Sequence, residues 1–484
     1  MNSIEEILSK TLTEIIPTED ELKLIDNITN TLRELLKERA IDININYTTI
    51  EPQGSTGIKQ TQLRGDFDID LFIGLDYNEF EEKYKGLSKS KLKRESKKDF
   101  LRLCNDWIIK SLQNAQFEKP RLLYAEHPYV TVDYLANHNR TKVDIVLYFD
   151  LNLDFIKKNG PITAVDRTPY HGRFVRDNLT LDQKNDVRLL KQFFKSQHSY
   201  GDKSAVGRIG FIGYSAELLI YHYQNLLNLF SKFHELKNTP LDHFNRSKKQ
   251  LNKISHFQND YLIIIDPIDK NRNVGSAISR RAYAFCNHQI QTFLKEPIKK
   301  YFEIEEIPLI NINSNTEHEL SHYFIIELVN KDSSVHYTIN RDKLYSLGDS
   351  IASNAEKEFT RDERFGRIEY ELYFENDKNE YNLALYCEKP LISPSFTRRG
   401  PPIDQTRHVE KFKHKNSNYF EKDGYLWTET KRDFTSFLNF LQFFLKDGLP
   451  SNFQIINVNN ALSTQTYSGK KAIYILKNYI MPFL

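Results

Sequence analysis

The stretch Asp68-Ile69-Asp70-Leu71-Phe72-Ile73 constrains this chain more than any other. Its apolar part is short and rich in β-branched and aromatic residues, which predicts a buried strand. Side chains alternate along a strand, so Asp68 and Asp70 project to one side while Ile69 and Leu71 pack beneath. Two carboxylates held side by side repel unless a cation joins them. Such pairs hold Mg²⁺ on phosphates, and two ions about 3.5–4 Å apart can clamp the attacking and leaving oxygens of an in-line displacement. Upstream, Gly54-Ser55 reads as a small-residue turn whose backbone N–H groups and hydroxyl can meet a triphosphate. A bare Asp-x-Asp is most often a solvated strand end. The preceding Gly-Ser turn gives this one its weight.

A chain of 484 residues exceeds one ordinary core and predicts two to four domains. With 67 Lys+Arg against 65 Asp+Glu, the net charge of +2 offers no global attraction for nucleic acid, so any RNA-binding surface has to be a local patch. Cys104, Cys286 and Cys387 stand far apart without metal-ligand spacing, which argues against a disulfide framework or a zinc site and fits a reducing cytosol. No apolar run reaches membrane-spanning length and the N-terminus lacks a signal pattern, so a cytoplasmic protein without a membrane is expected.

Apolar positions at helical spacing predict helices over 3–16 and 18–40, separated by Pro17 and packed on the sheet that bears the aspartates. Strands are expected over 42–50 and 66–75, with a basic helix over 88–114 whose lysines most often form a solvated face. Residues 121–149 read as a hairpin whose second arm brings Asp144 beside the first pair. An aspartate within an apolar strand is rarely buried unless it is paired or binds a metal. In the helix over 182–197, Val187, Leu190, Phe193 and Phe194 form an apolar stripe, whereas Arg188, Lys191 and Lys195 share another face. A cationic face opposite carboxylates suits a triphosphate. Residues 216–232 predict one buried helix and 261–265 a short strand. From about 305 the pattern turns to strands, at 307–312, 322–329, 368–374 and 383–387, with a helix near 350–358.

Taken together, Gly54-Ser55, Asp68-x-Asp70, His127-Pro128-Tyr129-Val130, Ala164-Val165-Asp166-Arg167-Thr168-Pro169-Tyr170-His171, Gly210-Phe211-Ile212-Gly213-Tyr214 and Asp266-Pro267-Ile268-Asp269-Lys270-Asn271-Arg272-Asn273-Val274 resemble the archaeal-type, class I, CCA-adding tRNA nucleotidyltransferases of the polymerase-beta superfamily. The resemblance runs over roughly residues 20–445. It implies an α+β multidomain fold: a nucleotidyltransferase catalytic domain with a mixed sheet (1–160), a mostly helical central domain (161–302), and an α/β C-terminal body and tail that binds tRNA (303–484). It implies catalytic, metal-binding roles for Asp68, Asp70 and Asp144 with Mg²⁺ as cofactor. Nucleotide-pocket roles are implied for Gly54, Ser55, Tyr129, Thr168, His171, Lys191 and Tyr200. Arg272 would lie near the incoming base with Arg167 nearby, and Arg398, Arg399 and Lys411 would hold RNA phosphates, carrying no sequence information. The partners are tRNA, CTP and ATP, with a homodimer left open.

The family usually carries an arginine soon after the Gly-Ser turn. This chain has Thr56-Gly57-Ile58-Lys59, which makes Lys59 the expected cationic substitute. Asp144 is followed by Ile145-Val146-Leu147-Tyr148 where the family commonly has Pro-Cys, and the last 40 residues match the family weakly. One alternative keeps the chemistry but changes the acceptor, as a defence or second-messenger nucleotidyltransferase joining free nucleotides. Another is a catalytically silent RNA-binding module, against which the three aspartates argue.

Overall fold

Five strands build the sheet that carries the aspartates: β1 (Thr49–Gln53), β2 (Ile69–Leu75), β3 (Phe117–Tyr124), β4 (Pro128–Ala136) and β5 (Asn139–Phe149). Their order is β1-β2-β5-β4-β3, with β2 and β5 parallel and every other pair antiparallel. The computed structural model describes residues 3–66, 68–113, 116–124, 127–136, 139–312, 317–375 and 379–484. These fall into two compact units: Met1–Gly201, Phe211–Ile278 and Cys286–Ile304 form the first, and Asp202–Gly210, Ser279–Phe285 and Glu305–Leu484 the second.

In the first unit, β2 is buried almost throughout because apolar helices cover it. The helix Glu19–Asp42 starts at a capping box in which Thr18 and Glu21 satisfy each other's backbone N–H groups, and it buries Ile25, Ile28, Leu32, Leu36 and Ala40. These share a core with Ile69, Leu71 and Ile73 and with Phe100, Leu103 and Trp107. The Trp107 indole donates to Leu36 O at 2.8 Å, so this wedge is satisfied at its polar end. On the basic helix Lys89–Leu103, the residues Lys89, Lys91, Arg94 and Lys98 face solvent while Phe100 and Leu103 face the core.

Several boundaries differ from those expected. The second helix runs to Asp42, and the chain then turns through Asn44 in the left-handed region (φ +52°), so the first strand begins only at Thr49. The helix Ile4–Ile15 packs on the helix Leu181–Ser196 rather than on the sheet. The expected helix over 216–232 is broken at Gln224 (φ +71°) into Gly213–Tyr223 and Leu226–Lys232, because Asn225 caps a new start. Residues 261–265 form no strand: Ile264 and Ile265 make only isolated bridges to Leu241 and Asn273.

The second unit is built on an antiparallel sheet of order β12-β6-β8-β7, comprising β6 (Tyr323–Asn330), β7 (Ile368–Glu375), β8 (Glu380–Cys387) and β12 (Phe453–Asn460). Phe324, Ile326 and Leu328 pack with Leu344, Phe437 and Leu441 from the helices Tyr337–Glu356 and Phe437–Gly448. Ile325, on the alternate face, packs with Ala472, Ile473 and Leu476 around the helix Tyr467–Tyr474. The helix expected near 350–358 is thus much longer and starts at a His336 cap, whereas residues 307–312 form no strand, although Ile307 and Ile310 are buried. A separate three-stranded sheet, β10-β11-β9, is made of β9 (Ser395–Pro402), β10 (Tyr419–Lys422) and β11 (Tyr425–Lys431), with the helix Thr406–Lys415 beside β9.

Candidate active site

Parallel pairing of β2 with β5 puts Asp70 directly across from Asp144. Burial, then the neighbouring Asp144 and Asp68 carboxylates, push the Asp70 carboxyl up to about 6. Lys142, two residues before Asp144 and so on the same face, donates to Asp144 Oδ2 at 2.7 Å and lies 3.9 Å from Asp68 Oδ2. Asp144 Oδ1 is buried without a hydrogen-bond partner. The β1–β2 turn presses close: Gly54 has φ +70°, and a Cβ there would stand 2.3 Å from Asp70 Oδ2. Only glycine tolerates both conditions.

These features fit a hard divalent cation. Mg²⁺ is bound through one or two carboxylates and completes its shell with water and substrate phosphates, so a crowded acidic pair with one orphan oxygen offers what it takes. Asp68 is more open, with a side chain 60% exposed, and among the described residues no three acidic, histidine or cysteine side chains close into a ready-made metal cluster. Asp70 and Asp144 form the tight part of the set. On the neighbouring β4, burial and then Asp144 hold the Tyr129 hydroxyl above its ordinary range. Glu126, just before the His127 motif, lies outside the described residues.

A second group of charges lies behind the Gly-Ser turn. Glu217, fully buried, accepts from Lys59 Nζ at 2.7 Å and Thr61 Oγ1 at 2.8 Å, and stands 3.6 Å from Lys191 Nζ. Lys191 also donates to Thr61 O at 3.0 Å and Thr61 Oγ1 at 2.9 Å, and burial lowers its ammonium to about 8. Lys59 lies over the Tyr214 ring, 4.6 Å from its centroid. Arg188 donates to Gln62 O at 3.0 Å and Gln60 O at 2.7 Å. The face expected to be open and cationic is therefore buried against residues 60–62, since their backbone carbonyls need donors. Lys59 is held in this ion pair and does not stand free as a substitute arginine. Tyr200 closes the same corner: a Cβ on Gly213 would meet its hydroxyl at 3.2 Å and Lys191 Cε at 3.4 Å.

Glu217 escaped sequence reasoning because it sits among Leu218, Leu219 and Ile220. A lone carboxylate inside an apolar helix was the available signal.

A third group centres on Asp266, also fully buried. Its Oδ2 meets His171 Nε2 at 2.8 Å and Arg272 Nη1 at 2.9 Å, while Oδ1 accepts from Ile268 N at 2.9 Å and the Tyr214 hydroxyl at 3.1 Å. Burial would raise this carboxyl, but His171, Arg272 and the backbone more than offset it and hold it well below the usual range. Burial also brings His171 down to about 4. Arg167, just ahead of Thr168 at the start of the helix Thr168–Asn178, pairs with Asp269 at 2.8 Å. His171 and Arg272 thus meet on Asp266, and Arg167 pairs with the nearby Asp269, while Thr168 simply follows Arg167 in the chain.

In the second unit, Arg398 Nη2 donates to Asn416 at 2.8 Å and its guanidinium lies against Phe412, 5.3 Å from the ring centroid. Arg399 lies over Tyr425 at 4.7 Å. Lys411 is exposed on the adjacent helix.

Paired aspartates on adjacent strands of a mixed sheet, a glycine turn against them and buried cations behind that turn define a nucleotidyltransferase of the polymerase-beta kind. The model of the tRNA nucleotidyltransferase second domain matches residues 185–303. The CCA-adding enzyme of Methanocaldococcus jannaschii is 29% identical over 467 residues, covering 94% of this chain and 93% of that protein. That of Saccharolobus islandicus is 29% identical over 423 residues, covering 86% and 87%, and that of Pyrobaculum neutrophilum 25% over 406 residues, covering 83% of each. Over most of its length the chain is thus similar to archaeal CCA-adding enzymes, and residues 185–303 match the tRNA nucleotidyltransferase second domain.

Proposed function

We propose that the protein adds C, C and A to the 3′ end of tRNA from CTP and ATP, without a nucleic-acid template and with release of pyrophosphate. The observation that carries this reading is the in-register Asp70–Asp144 pair with Gly54 pressed against it, in a chain that aligns over nearly its whole length with CCA-adding enzymes. In the proposed reaction the RNA 3′-hydroxyl attacks the α-phosphate in line. Asp68, Asp70 and Asp144 would hold divalent cations, taken here to be Mg²⁺, whose chemistry is to neutralise the phosphates and activate the hydroxyl.

The chain's own residues do the placing. The absence of a side chain at Gly54 lets phosphate approach the backbone beside Ser55. Lys59 and Lys191 share the single carboxylate of Glu217, which leaves one buried positive charge in excess to meet the triphosphate. Tyr200 and Tyr129 wall the pocket, and Arg167, Thr168, His171 and Arg272 form the end where base and ribose are recognised. Residues 1–160 would supply the catalytic domain, 161–302 the central domain, and 303–484 the tRNA-binding body, with Arg398, Arg399 and Lys411 on phosphates. The reaction is placed in the cytoplasm, in keeping with three buried, unpaired cysteines. Among the described residues no helix is long and apolar enough to cross a membrane.

Incubation with CTP, ATP and MgCl₂, once with tRNA lacking its 3′-terminal nucleotides and once without RNA, tests the reading. Growth of the tRNA by three nucleotides ending in A, with no product in the RNA-free tube, is expected. Oligonucleotides made without RNA, and an unchanged tRNA, would overturn it.

A further inference from the structure

Burial favours the neutral form of the His171 ring, and one of its nitrogens is engaged. Its Nε2 lies 2.8 Å from Asp266 Oδ2. Arg272 Nη1, itself bonded to that oxygen, stands 3.4 Å from Nε2. A carboxylate oxygen can only accept, so Nε2 carries the proton of this pair. In a neutral imidazole the other nitrogen is then a lone-pair acceptor. Among the described residues no hydrogen bond reaches Nδ1, and the ring is held flat against Tyr214, with centroids 4.4 Å apart and planes 28° apart. The Tyr214 hydroxyl returns to Asp266 Oδ1, so one carboxylate fixes the ring, its stacking partner and Arg272 together. Lys59 is the other cation facing the ring, and it is matched by Glu217.

We propose that Asp266 is a positioning residue for nucleotide selection: by fixing His171 as the Nε2–H tautomer, it makes Nδ1 an acceptor for a hydrogen-bond donor of the incoming nucleotide. This rests on the nucleotidyltransferase reading above. Cytosine and adenine both present an exocyclic amino donor, whereas uracil and guanine present a carbonyl oxygen at the matching place. A ribose hydroxyl is the other donor of the same chemistry. The Asp266 cradle accepts four hydrogen bonds and has no room for an amide donor on either side without breaking one.

Three full-length variants test this. His171→Gln keeps a donor at the Nε2 position but deletes the Nδ1 acceptor, Asp266→Asn disturbs the tautomer, and Tyr214→Phe removes only the Oδ1-side hydroxyl. Ring ¹⁵N shifts of labelled histidine should report the Nε2–H neutral tautomer for His171 in the wild type at neutral pH and a changed mixture in Asp266→Asn, independently of any catalysis. In single-nucleotide addition, His171→Gln and Asp266→Asn should lose about tenfold or more in the preference for CTP over UTP, or for a ribonucleotide over its 2′-deoxy form, with Tyr214→Phe closer to wild type. Loss of the first preference identifies the amino group as the donor and loss of the second the ribose. An Nδ1–H or doubly protonated wild-type ring, or unchanged preferences in both variants, overturns the proposal. A wild-type protein that leaves tRNA unextended overturns the underlying reading instead, while the tautomer measurement still stands.

Discussion

Gly54 and Asp70 come so close that a Cβ on Gly54 would sit 2.3 Å from Asp70 Oδ2, and the Gly54 backbone is in a conformation (φ +70°) that other residues rarely adopt. A turn that tight fixes where the carboxylate can point. Gly54→Ala should therefore swing Asp70 by about an ångström and reduce nucleotide transfer roughly 100-fold, with circular dichroism unchanged. Transfer within a few-fold of wild type would show that the turn does not place the carboxylate.

Asp70 also couples the site to pH. Its carboxyl lies at about 6 in the folded protein against 3.8 for the free group. A raised folded value means that the contribution to stability is complete below the unfolded pKa and is lost as pH rises through about 6. The cation-free protein should accordingly lose stability between about pH 4 and 6, and MgCl₂ should restore it by raising Tm at least about 2 °C near pH 7.5. The rise should be smaller near pH 5, where protons compete, and absent in Asp70→Asn. Equal Tm shifts in wild type and Asp70→Asn would place the cation elsewhere.

Glu217 compensates two buried ammonium groups, so its loss should hurt folding more than the loss of either lysine. Glu217→Ala should cost about 3–5 kcal/mol in urea unfolding, because uncompensated buried charges remain. Lys59→Ala should cost about 1–3 kcal/mol, since Lys191 still stands 3.6 Å from the carboxylate. Lys89→Ala, on the exposed helix face, should be neutral to within about 0.5 kcal/mol. A reversed order for Glu217 and Lys59 would refute the shared-counter-ion arrangement.

The last residues should be indispensable to the second unit. β12 pairs with β6, and the buried Glu327 accepts from Thr466 N at 2.7 Å, Gln465 N at 3.0 Å and Asn457 Nδ2 at 2.7 Å. A chain ending after Pro450 would remove these donors, open a sheet edge at β6 and uncover the apolar face around Ile325 that Ala472, Ile473 and Leu476 bury. Limited proteolysis should then degrade the C-terminal half while wild type resists. Equal resistance would show that the segment is dispensable.

The local pattern of the sequence was enough to pair the aspartates. Period-two alternation put Asp68 and Asp70 on one side of β2, and an aspartate in an apolar arm marked Asp144 for the same place. These are short-range consequences of strand geometry, and the register bears out the meeting of Asp70 with Asp144, while Asp68 lies just ahead of the strand. The helical stripes of the first unit were legible for the same reason, although their ends moved where Asn44 and Gln224 entered the left-handed region.

The fate of the charges was a tertiary matter. Periodicity assigned Arg188 and Lys191 to a polar face, yet both are buried, because the carbonyls of residues 60–62 and the Glu217 carboxylate close over them. Lys59 and Glu217 are 158 positions apart in the chain, and His171 and Asp266 are 95 apart. No local rule weighs a partner at that distance. By itself the sequence determined that Asp70 and Asp144 would meet across neighbouring strands and which stripes of the helices would be apolar. The tertiary structure alone decided which charge neutralises which, because the cost of burying an ion is set by the groups that folding brings around it.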